Sequence, residues 1–137
     1  MNNDESCITV FVTQQSSCAR LIEQGAEIAA AQGKKEIVIS VINPASGTKT
    51  DELNELYAEV EKYNANMNVY FNSEPVLTAA VAAKRLNTST IITGFPGENS
   101  MGFISYLHEL LPDIPIIMID KDNKRYKLGQ KEAKKSI

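Results

Sequence analysis

The chain predicts a doubly wound α/β sandwich: a five-stranded parallel sheet with helices on both faces. Five short runs, Ile8–Thr13, Glu36–Ile42, Met67–Asn72, Ser89–Thr93 and Ile114–Ile119, are rich in Val, Ile, Tyr and Phe. Several stay apolar at successive positions, as strands covered on both faces do. The segments between them repeat apolar residues at helical spacing. Strands alternating with helices mean consecutive right-handed βαβ units, and 137 residues leave no length for a second domain.

The first strand leads through Thr13-Gln14-Gln15-Ser16-Ser17 into a helix. Cys18, Leu21, Ile22, Gly25, Ile28 and Ala29 share its apolar face, Ser16 and Ser17 suit its cap, and Gly33 supplies the stop. The second helix places Leu53, Leu56, Tyr57 and Val60 together, with Thr48 or Thr50 as cap and Asp51 and Glu52 complementing its N-terminal dipole. Its acids Glu52, Glu55, Glu59 and Glu61 read as a solvated side. The third begins Ser73-Glu74-Pro75, a cap followed by a proline tolerated in the first turn. Val76, Leu77, Ala80, Val81 and the stem of Lys84 are its expected buried stripe. The fourth, about Met101–Leu111, turns Phe103, Ile104, Leu107, Leu110 and Leu111 inward, and Pro112 ends it.

Composition narrows the function. The chain is 43% hydrophobic and 23% charged, as soluble globular proteins are. No apolar run approaches the roughly 20 residues of a membrane span. The polar, acidic Met1–Cys7 does not read as a secretory signal. Cys7 and Cys18 are too few for a disulfide framework, so a cytoplasmic location is expected. The net charge of −3 is uneven: Asp120–Ile137 carries +4 and the remainder −7. Residues 1–120 are expected to form the domain and 121–137 a solvated basic tail. Tyr126 is the tail's one aromatic, so nothing resembles a base-stacking pattern for nucleic acid.

In open parallel sheets, ligands bind beyond the carboxyl ends of the strands, where strand order reverses. The segment there that looks built for a task is Thr93-Gly94-Phe95-Pro96-Gly97-Glu98-Asn99-Ser100-Met101-Gly102. Its glycines allow close approach of a ligand, and it leads into a helix N-terminus whose N–H groups favour anions. Gln14 and Gln15 carry amides suited to a base or a carboxylate. Cys18 reads as a core cysteine and His108 as an isolated histidine. No paired carboxylate, His-backed nucleophile or metal cluster supports catalysis, so the chain is not expected to be an enzyme.

At this loop the chain resembles the universal stress protein family. The resemblance rests on Gly94-Phe95-Pro96-Gly97, then Gly102, then Leu111-Pro112-Asp113-Ile114-Pro115-Ile116-Ile117, and spans about Ile8–Ile119. The stretch from Ser73-Glu74-Pro75-Val76-Leu77 to Thr93-Gly94 is similar to the family's third helix and fourth strand. Val12-Thr13-Gln14-Gln15 also looks like the related cytoplasmic domain of potassium-sensing histidine kinases. The resemblance implies a Rossmann-like (adenine nucleotide alpha hydrolase-like) three-layer fold with strand order 3-2-1-4-5. It implies a non-catalytic stress-response module binding an adenine nucleotide, ATP or AMP, through Thr13, Gln14, Ile42, Gly94, Gly97, Ser100 and Gly102. It further implies a homodimer paired along an exposed fifth strand, Ile114–Ile119.

The residues depart from the family pattern in ways that act on the ligand. Thr13 stands where ATP-binding members carry an acid, the Gly97–Gly102 spacing is short, and Phe103 replaces a hydroxyl. Between Arg85 and Lys121 there is no Lys or Arg, and Glu98 adds negative charge to the loop. These changes point from ATP toward a less charged nucleotide or another anion. The alternative reading is a ligand-free dimeric signalling module with a degenerate loop; a third is a small nucleotide hydrolase.

Overall fold

A computed structural model describes residues 5–96 and 102–128. Six strands form one sheet, β1 (Cys7–Phe11), β2 (Lys35–Ile42), β3 (Asn66–Phe71), β4 (Thr88–Gly94), β5 (Ile116–Ile119) and β6 (Arg125–Leu128). The order is β3-β2-β1-β4-β5-β6. All neighbouring pairs are parallel except β5 and β6. The helices are α1 (Ala19–Gln32), α2 (Thr50–Lys62), α3 (Pro75–Arg85) and α4 (Gly102–Leu110).

Strand alternation divides the core into two layers. Ile8, Val10, Val38, Ile42, Ile92 and Ile119 pack with Leu21, Ile22, Leu56 and Val60 from α1 and α2. Phe11, Ile37, Ile39, Ile91 and Met118 pack with Ala79, Ala83, Ile104 and Leu107 from α3 and α4. The result is the expected three-layer sandwich. Gly33 closes α1 in the left-handed conformation, φ 66°, with its N–H bonded to Ala29 and Ala30 carbonyls. Gly25 lets α1 lie close to the sheet, because a Cβ there would stand 2.5 Å from both Val10 Cγ2 and Glu36 Oε2.

Three expectations are corrected. The first concerns the C-terminal segment, whose residues 125–128 are a strand. Asp120 Oδ1 accepts from the N–H groups of Asp122 and Lys124, each at 2.9 Å, and Asn123 takes φ 64°. This tight turn returns the chain antiparallel to β5, with Ile117 opposite Lys127 and Met118 opposite Tyr126. Hence β5 is an interior strand, and its outer edge is closed by the same chain, not open for a partner's β5. The rest of the tail, 129–137, lies outside the described residues.

The second concerns α3. Its buried face is Ala79, Ala80, Ala82 and Ala83, while Leu77 and Val81 are about half exposed. Small side chains let α3 approach the sheet and α4 closely, so the alanines win the inward face. The third concerns caps. Ser16 and Ser17 form a one-turn 3-10 helix ahead of α1 without a side-chain cap bond. Ser73 likewise does not cap α3; Asn72 Oδ1 accepts from Glu74 N–H at 2.8 Å instead.

Candidate functional site

Strand order reverses between β1 and β4, and in an open α/β sheet the crevice lies beyond the carboxyl ends of the strands at such a point. A cavity of about 530 Å³ opens there, a size typical of small-molecule sites. Its floor is apolar: Phe11 and Ile39 from the sheet, Ala79 from α3, and Phe103 and Ile104 from the first turn of α4. Phe11 and Phe103 meet edge to face, with ring centroids 6.5 Å apart. The rim is polar, with Thr13, Gln15, Ser17 and Cys18 after β1 and Thr93 and Gly94 at the end of β4. Thr13 Oγ1 and Cys18 Sγ are 3.4 Å apart.

Arg20 supplies the cation among the described lining residues. Its Nη1 donates to the Asp120 carbonyl at 2.9 Å and the Ile119 carbonyl at 3.4 Å, which anchors the side chain across the end of β5. Both bonds leave from Nη1, and a Cβ added at Gly94 would stand 4.0 Å from Nη2. Nη2 makes neither of these bonds, and the end of β4 at Gly94 lies beside it. The N-terminal end of α4 also borders the cavity, so its dipole reinforces the positive potential. An aromatic pair closes one side: Phe95 stacks on Tyr126 of β6, centroids 4.9 Å apart, and Tyr126 O–H donates to Asp120 Oδ2 at 3.0 Å.

The expected site residues divide. Thr13 and Gly94 line the cavity. Gln14 is turned away: its amide donates to the Gly47 carbonyl at 3.0 Å and accepts from Lys49 N–H at 2.6 Å, pinning the loop before α2. Ile42 is buried in the α1–α2 layer and does not reach the cavity. Gly102 opens α4 and is exposed, outside the lining. Gly97 and Ser100 lie outside the described residues. Glu52, read as solvated, accepts from Ser16 N–H at 2.5 Å and so steadies the turn that carries Thr13 and Cys18. That hydrogen bond holds the Glu52 carboxyl below its ordinary value.

Arg20 is not signalled by the glycine loop, from which it is distant in sequence. The signal was positional: the residue is second in the helix that follows the first strand, which places it on the crevice in a doubly wound sheet. Among the described residues no group of three His, Cys, Asp or Glu is arranged to hold a metal, and no helix is long and apolar enough to cross a membrane.

Solved structures share this fold. A universal stress protein family member from Burkholderia pseudomallei aligns with a TM-score of 0.60 at 12% identity, over 86% of this chain and 98% of that one. A universal stress protein in complex with cAMP aligns with a TM-score of 0.59 at 15% identity, over 85% and 98%. One from Archaeoglobus fulgidus gives 0.59 at 19% identity, over 81% and 90%. At these identities the likeness is one of fold. In sequence the chain matches no family model and no curated protein.

Proposed function

We propose that the chain is a universal stress protein-like, non-catalytic binding module whose β1–β4 cavity takes a purine nucleotide of low charge, a cyclic or simple monophosphate. The observation that carries this reading is the pairing of an apolar, aromatic floor with one guanidinium at the rim. A flat base is accommodated by the Phe11, Ile39 and Phe103 side, and a phosphate by Arg20 and the N-terminal end of α4. One cation suits one or two negative charges better than the several of a triphosphate. The cAMP complex of a protein with the same fold supports that ligand class. Among the described lining residues, neither a histidine nor a carboxylate stands ready to activate water, which supports binding over turnover.

Titration calorimetry of the full chain with cAMP, AMP and ATP tests the reading. Saturable heat is expected for cAMP and AMP, with ATP weaker. Arg20→Leu removes charge-assisted hydrogen bonds worth about 1.5–3 kcal/mol, and so is expected to weaken binding by roughly 10- to 100-fold. No heat with any of the three ligands would sink the proposal and favour the ligand-free module.

A further inference from the structure

We infer that the outward face of α3, with the adjoining edge of β3, is a homodimer interface in which α3 packs antiparallel against α3 of a second copy. The inference is independent of the nucleotide, since it uses the side of α3 turned away from Ala79 and the cavity.

Its starting point is the apolar pair that the alanine face displaces outward. Leu77 is 48% and Val81 49% exposed, one helical turn apart, and Phe71 at the end of β3 is 57% exposed. Leu77 and Val81, with Tyr70 and Thr78, border a groove of about 460 Å³ between α3 and β3. Charge is scarce over the whole region. The 21 residues from Tyr63 to Ala83 contain one charged side chain, Glu74, in a chain that is 23% charged. Depletion of charge around exposed apolar side chains marks the centre of an interface.

The two sheet edges differ in the same sense. At one end the edge strand is β6, whose Arg125 and Lys127 guard it against pairing. At the other end β3, Asn-Met-Asn-Val-Tyr-Phe, pairs only with β2 among the described residues and bears no charge.

The charges at the ends of the groove select the occupant. Glu74 lies at the N-terminal end of α3 and Arg85 at its C-terminal end, both exposed and both lining the groove. An antiparallel pair that sets Glu74 against the partner's Arg85 also sets Thr78 against the partner's Val81. One two-fold axis satisfies every pair twice. The face is therefore complementary to itself, the condition for an isologous dimer.

Sedimentation of the full chain decides the matter. A dimer is expected at tens of micromolar, and Val81→Glu is expected to weaken it at least tenfold. Glu74→Arg and Arg85→Glu should each weaken association, and the two together should restore it. Because both charged positions are exposed, these variants keep the monomer's fold, which circular dichroism verifies. A monomer at that concentration would overturn the inference. So would a dimer indifferent to Val81→Glu, or a double variant no better than the singles.

Discussion

Glu36 is a carboxyl the core holds without a partner. The residue is 6% exposed, and neither oxygen meets a hydrogen-bond donor among the described residues. Desolvation pushes it up from 4.5 to about 8. The sign of its effect on stability follows from linkage. Below pH 4.5 the carboxyl is protonated in both folded and unfolded chains and adds no pH dependence. Between 4.5 and about 8 the unfolded chain releases a proton that the folded chain keeps, so stability falls as pH rises. Glu36→Gln, a neutral mimic of the protonated side chain, is expected to raise the melting temperature little at pH 5 and strongly at pH 8. The gain at pH 8 should reach roughly 2–4 kcal/mol. Equal gains at both pH values, read from denaturant curves, would show that Glu36 does not titrate this way. The carboxyl's neighbours are Gly25 and Val10, so any residue larger than glycine at 25 is expected to push α1 off the sheet.

At the scale of elements, β6 replaces a partner. It gives β5 a second hydrogen-bonded neighbour, sends Tyr126 onto Phe95, and lets Arg125 donate to Gln24 Oε1 of α1 at 2.7 and 3.2 Å. A chain ending at Asp120 would expose the apolar outer edge of β5. It is expected to melt at lower temperature and to associate with increasing concentration; an unchanged melting temperature and a monomeric species would contradict that role. The strand was present in the sequence but masked by its charge. Asp120-Lys121-Asp122-Asn123 is a turn, and Arg125-Tyr126-Lys127-Leu128 alternates polar and apolar residues as a half-exposed antiparallel strand does. For α3 the reason differs. Its sequence offers two apolar stripes, one of alanines and one of Leu77 and Val81, and periodicity cannot rank them. Tight packing against β2 and α4 ranks them, and that is a tertiary effect.

For the molecule as a whole, the alternation of strands and helices fixed the layers and the crevice, because connection rules leave few other ways to build them. The cavity is legible in the sequence as an address, and less so as a list of the residues that line it. Thr13 and Gly94 follow from their places at the ends of β1 and β4, whereas Gln14 and Ile42 have the right sequence position and the wrong direction. A side chain's direction depends on the turn that carries it. The turn after β1 is held in part by Glu52 and by the Gln14 bonds to Gly47 and Lys49, which are long-range contacts.

The claim that a low-charge nucleotide occupies the β1–β4 crevice is tested most directly by amide chemical-shift mapping of the labelled chain titrated with cAMP. Saturable shifts are expected to concentrate at Thr13–Leu21, Thr93–Phe95 and Phe103–Ile104, and to vanish in Arg20→Leu. Shifts centred elsewhere, for example on Tyr70–Arg85, or no shifts at saturating cAMP, would contradict it.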